Sequence, residues 1–168
     1  MRMFLICLLI CPGWALAGDL RDGMLGSWSG AGTIQLQPDR KGSSADCRAA
    51  FSLTPGLWMW GDLQCGSGRS KDSVGLRFSE PSQSGKMIME MVNAKGKTLV
   101  TFDGALDGTV ATFFHPETIE FSGNEYRPVL RFGLGEEGAL SLMQLGIPTR
   151  GGGVQYRMSD FILRRDDN

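Results

Sequence analysis

The sequence predicts an all-β protein, a single antiparallel meander closing into a β-barrel, with a β-sandwich as the alternative. Three observations lead there. From Leu25 onward, alternating apolar and polar residues recur in short runs separated by turn signals. Glycine accounts for 24 of 168 residues and is scattered among the apolar runs, which points to many turns rather than to disorder. No stretch longer than about ten residues carries a convincing helical period. The length suits one domain and supports a core of its own. Its 17 basic and 18 acidic residues nearly cancel, so the footprint of a nucleic-acid binder or a basic membrane patch is absent.

Residues 1–17 read as a secretory signal peptide, and residues 18–168 as a single barrel domain. Arg2 supplies a positive charge, Met3 to Ile10 is an unbroken apolar run, and Ala15-Leu16-Ala17 places small residues before a cleavage point between Ala17 and Gly18. The apolar run is shorter than the roughly 20 residues that span a bilayer, and no later segment replaces it, so no transmembrane segment is expected in the mature chain. Bulky Leu8-Leu9-Ile10 before Cys11 argues against a lipid anchor there. The expected location is the periplasm or the extracellular space.

The first strand runs from Ser27 to Gln37, with Trp28, Ile34 and Leu36 on one face, after a possible turn of helix over Asp19 to Leu25. Next comes a hairpin turning at Thr54-Pro55-Gly56-Leu57. Centring it on Gly56 sets Cys47 opposite Cys65, Ala49 opposite Leu63, Phe51 opposite Gly61 and Leu53 opposite Met59, so one face is wholly apolar. Cleavage of the signal leaves only these two cysteines, and directly opposed residues are close enough to bridge, so an oxidising compartment predicts a Cys47–Cys65 disulfide. Val74, Leu76 and Phe78 line a fourth strand, and Lys86 to Val92 forms a fifth. Thr98 to Leu106 and Thr109 to Phe114 pair through Asp107-Gly108, a strong two-residue turn signal. Further runs are Thr118 to Ser122, Val129 to Leu134, Ala139 to Leu145 (helix or strand by pattern alone) and Val154 to Leu163, with Gly151-Gly152-Gly153 as a flexible connection.

Gly26-Ser27-Trp28, opening the first strand, resembles the G-x-W motif of lipocalins and related calycin barrels. The resemblance implies a tryptophan that plugs the closed end of the barrel against an arginine of the last strand, here Arg157 or Arg164. It also implies a cup for a small apolar ligand, usually without catalysis.

Few residues offer chemistry. His115 is the only histidine and lies in His-Pro-Glu, which reads as a loop, and no G-x-S-x-G elbow accompanies it. Gly133-Leu134-Gly135-Glu136-Glu137-Gly138 matches a dinucleotide fingerprint, but too little chain follows for a βαβ unit and two glutamates would face the phosphates; a turn between antiparallel strands fits better. Glu117 with Glu120, and Glu136 with Glu137, read as charged turns rather than as the paired carboxylates of a glycosidase. Met87, Met89 and Met91 fall on one face of a strand, either as an adaptable apolar wall or as thioether ligands for Cu(I). Trp58 and Trp60 sit opposite the apolar hairpin face, where they form a docking surface, line a polar interior or lie under loops.

The expectation is therefore an exported, non-catalytic barrel with no cofactor and no metal. It binds a small apolar ligand, with Trp28 as floor and Met87, Met89 and Met91 in the wall. Two alternatives stand beside it. One is docking to an envelope partner, or homodimerisation, through Trp58 and Trp60; the other is Cu(I) handling by the three methionines.

Overall fold

A computed structural model describes residues 18–35, 40–68, 70–121, 124–135, 137–149 and 155–166. A short helix α1 (Gly18–Met24) leads into eleven strands: β1 (Gly26–Ile34), β2 (Ser43–Ser52), β3 (Met59–Ser67), β4 (Ser70–Phe78), β5 (Lys86–Val92), β6 (Thr98–Asp107), β7 (Val110–Phe114), β8 (Ile119–Phe121), β9 (Asn124–Leu134), β10 (Leu140–Pro148) and β11 (Tyr156–Arg165). Every pairing is antiparallel. Strands β1 to β7 pair in sequence, β7 pairs with β9, β9 with β10, β10 with β11, and β11 returns to β1. Ten strands thus close a barrel, while three-residue β8 lies outside the ring on β9. Closure removes exposed strand edges from the ring and excludes the sandwich. No helix among the described residues is long and apolar enough to cross a membrane.

The hairpin register follows the predicted pairing: Cys47 faces Cys65, Ala49 faces Leu63 and Phe51 faces Gly61, and the two cysteines form a disulfide. At the turn, the Leu57 amide donates to the Thr54 carbonyl at 3.0 Å, and Gly56 takes φ 80°, the left-handed value that a type II turn requires after Pro55. Leu53 departs from the expectation. Strand β2 ends at Ser52, so Leu53 is released into the turn and is 59% exposed rather than facing Met59. The β6–β7 turn is also displaced by one residue. Asp107 pairs with Val110, making Gly108-Thr109 the two-residue loop, with Gly108 at φ 57°.

The glycine-rich stretch after β9 makes a turn between antiparallel strands, closed by the Gly135 amide on the Ala139 carbonyl at 2.8 Å. The stretch from Ala139, ambiguous by pattern, is strand. Leu36, Gln37, the triple glycine 151–153 and the signal segment lie outside the described residues.

Inward positions form one continuous core. The β2 burial alternates strictly, with Ala45, Cys47, Ala49 and Phe51 inside. Two inward glycines make room for cross-strand rings: an added Cβ would lie 2.7 Å from the Phe51 ring at Gly61 and 2.2 Å from the Phe113 ring at Gly104. Phe78, Phe113 and Phe132 interlock with centroids 5.5–5.9 Å apart, filling the middle of the barrel.

One end is sealed by α1 and Trp28. Leu20 and Met24 are buried, and Trp28, 1% exposed, donates its indole N–H to the Met24 carbonyl at 2.7 Å. The arginine of the last strand is Arg165, not Arg157 or Arg164. Arg165 stands directly opposite Trp28 in the β1–β11 register, with its guanidinium 4.7 Å from the ring centroid. It also donates to the carbonyls of Leu25 (2.6 Å) and Gly23 (2.7 Å), so one tryptophan and one arginine satisfy three carbonyls at the helix C-terminus. Arg164 pairs with Ser29 one position out of phase, and Arg157 binds Asp160 on the surface. Gly26 explains the start of the motif: it takes φ 109°, and a Cβ there would meet the Arg165 guanidinium at 3.1 Å.

Trp28→Ala is expected to cost about 3–5 kcal/mol by opening a cavity at the sealed end. Arg165→Ala should cost less, about 1–3 kcal/mol, through the carbonyls it leaves uncapped. Chemical denaturation of both variants checks the order. Replacing Cys47 and Cys65 together by alanine should lower stability by about 3 kcal/mol; a midpoint equal to that of the oxidised protein would deny the disulfide any stabilising role.

Candidate functional site

The barrel interior is packed unevenly. Toward the sealed end the inward positions carry Trp28, Phe51, Met59, Phe78 and Leu163, all buried. Toward the other end, β2 contributes only Ala45, Cys47 and Ala49, and its neighbours contribute Leu63, Cys65 and Val74. A ten-stranded ring is wider than the eight-stranded rings that side chains just fill. Leu63, Cys65 and Val74 on β3 and β4 leave space beside them. The result is a cavity of about 360 Å³, walled by Leu63, Val74, Met91, Leu130, Phe132 and Phe161, with Ile34, Leu142 and the Cys65 half of the disulfide beside them. Gln35, Asp72, Gln144 and Ser159 bring polar groups to the same opening. The volume lies at the lower end of the roughly 300–1,000 Å³ of small-ligand sites.

The three methionines separate by depth. All lie on the inward face of β5, but Met89 is 0% and Met87 4% exposed within the packed core, and Met91 alone reaches the cavity. Trp28 closes the far end without touching the cavity. Among the described residues no cluster of three His, Cys, Asp or Glu is arranged to hold a metal ion. His115 binds the backbone of Glu117 through Nδ1 and rests edge-on against Phe102, as a loop residue does.

The two hairpin tryptophans part company. Trp60, within β3, is half-buried on the outer face, its N–H on Asp62 at 3.0 Å. Trp58 is 4% exposed and packs edge-on against Phe78 with centroids 6.4 Å apart. The expectation of a shared face fails because alternation holds only inside a strand. Trp58 precedes β3, and its amide binds the Phe78 carbonyl at 3.0 Å, which turns the indole inward.

Sequence reasoning missed two features of the open end. Cavity residues Leu130, Phe132, Leu142 and Phe161 come from strands whose alternation was visible, but only closure brings them opposite Leu63 and Val74. The second is a tyrosine pair: Tyr126 on β9 and Tyr156 on β11 meet edge to face at 4.8 Å over Gly146, where a Cβ would lie 2.7 Å from the Tyr156 ring. Burial raises the Tyr156 phenol above its usual 10.0, and Tyr126 adds to the effect.

Two outcomes follow. Met89→Lys should abolish folding by placing an unpaired charge in the core, whereas Met91→Lys, at the cavity, should fold; circular dichroism separates them. Because the folded phenol ionises later than the unfolded one, the contribution of Tyr156 is intact below pH 10 and is lost as pH rises through its folded value. Tyr156→Phe should therefore flatten the alkaline fall in stability, and an unchanged pH profile would refute the assignment. No protein-family model matches the sequence, and no curated protein matches it.

Proposed function

We propose that the protein is an exported, non-catalytic carrier that holds a small apolar ligand in the open half of its barrel. The apolar cavity of about 360 Å³ is the observation that carries this reading. The closed antiparallel barrel is consistent with a lipocalin-like one, and the Gly26-Ser27-Trp28 corner with Arg165 behind it supports kinship with that group. Export is supported by the pattern of residues 1–17 and by the Cys47–Cys65 disulfide, which is compatible with an oxidising compartment.

Within this reading, Met91 serves as the adaptable wall and Trp28 as the structural floor. Cu(I) handling gains no support, since the thioethers of Met87 and Met89 are sealed in the core. Docking through both tryptophans loses its geometric basis with Trp58 inside, though Trp60 keeps an outer position.

The neutral fluorescent probe N-phenyl-1-naphthylamine tests the cavity. The folded, disulfide-bonded protein should enhance its emission saturably, and Met91→Lys should reduce the affinity at least roughly tenfold with the fold retained. Equal probe binding by a folded Met91→Lys variant would remove the cavity as the binding site.

A further inference from the structure

A second groove lies outside the barrel, and it is built rather than incidental. On the outer face of β2, β3 and β4 the register aligns three rows: Arg48–Gln64–Ser73, then Ala50–Asp62–Gly75, then Ser52–Trp60–Arg77. The middle row is low at Ala50, which carries only a methyl group, rises to the Asp62 carboxylate, and ends at Gly75, which lies buried beneath the Trp60 ring. The six-membered ring of Trp60 reaches across Gly75, where an added Cβ would lie 2.9 Å from Cζ2 of the indole and 2.7 Å from Cγ2 of Val92. Val92 is consequently 0% exposed although its register position is on the outer face.

Both walls are held in place. The Trp60 N–H is anchored on Asp62 at 3.0 Å, and Gln64 donates to Ser73 at 3.3 Å. The far side is the β5–β6 turn, closed by the Asn93 side-chain oxygen, which accepts the amides of Lys95 (2.9 Å) and Lys97 (3.0 Å). The groove, open to solvent, has a volume of about 670 Å³.

We infer that this groove is a binding site for a short, neutral oligosaccharide, independent of the ligand carried inside. Three features select that class. An immobilised indole offers an apolar surface to the C–H face of a sugar ring. Arg48, Gln64 and Ser73 along one edge, with Asp62 beside them, supply donors and acceptors together, as hydroxyl groups that both donate and accept require. The lining sets one guanidinium, Arg48, against the carboxylates of Asp62 and Asp166, which disfavours anionic ligands such as phosphates. Two strand spacings of about 4.7–4.9 Å separate β2 from β4, so the polar row from Arg48 through Gln64 to Ser73 runs roughly 10 Å, the reach of a disaccharide.

The test is an NMR titration of the full, disulfide-bonded protein with cellotriose, chitotriose and maltotriose, each to about 10 mM, a range that detects affinities as weak as the millimolar. At least one should shift the amides of β2 to β4 and leave those of the barrel interior unmoved. Trp60→Ala should weaken that binding roughly tenfold or more. Because Trp60 also covers Val92, Ala50→Arg is the second variant: residue 50 is exposed, so the change fills the groove without touching the core, and it should abolish binding. The proposal is overturned if none of the three sugars binds, or if binding survives both substitutions. Self-association abolished by Ala50→Arg would equally overturn it, assigning the groove to a second copy of the chain.

Discussion

The closing seam between the first and last strands is the constraint on which the rest of this barrel depends. Antiparallel hairpins form from local chain, but β1 and β11 must meet across nearly the whole sequence. Trp28 and Arg165 stand opposite each other at that seam and serve two purposes. Stacked together they pin the register, and through their three hydrogen bonds they fix the C-terminus of α1 as a plug. A slip of one residue would move Arg165 to the other face and bring Arg164, which now faces away, into its place. The three carbonyls at the end of α1 would lose their donors, and the plug its anchor.

Both grooves of the molecule follow from the same arithmetic of side-chain size along fixed registers. Inside, aromatic residues crowd the sealed half, while Leu63, Cys65 and Val74 on β3 and β4 leave the other half open. Outside, Ala50 leaves a low position beside Trp60, whose ring settles over Gly75. Binding surfaces arise here from missing volume at specified register positions, on a scaffold that strand pairing holds rigid. The disulfide ties β2 to β3 beside the outer groove, with Cys65 in the wall of the inner cavity.

Local chemistry was legible. Pro55-Gly56 forces its turn, and once the turn is placed, antiparallel pairing sets Cys47 against Cys65 without further information. The glycine-rich match after β9 was recognisable as a turn because Glu136 and Glu137 would press against the phosphates of a bound nucleotide. Two of the failures share one cause, extension of a periodic pattern past its physical limit. Leu53 and Trp58 were assigned faces by alternation, yet both lie beyond the ladder that enforces it. Asp107-Gly108 marked the right turn one residue early, because the pairing of Asp107 with Val110 decides where the strand stops.

The sequence by itself determined the all-β class, the order of the strands, the hairpin register around Gly56 and the disulfide. Each depends on interactions between near neighbours or on a side-chain period that a linear pattern records. Only the tertiary structure decided which arginine backs Trp28, which methionine meets the cavity, which tryptophan is buried, and that an outer groove exists at all. Those properties depend on how far each position lies along the barrel axis and on what the opposite wall supplies. A chain read in one dimension gives the face of a residue but not its depth, and depth separates Met91 in the cavity from Met89 in the core.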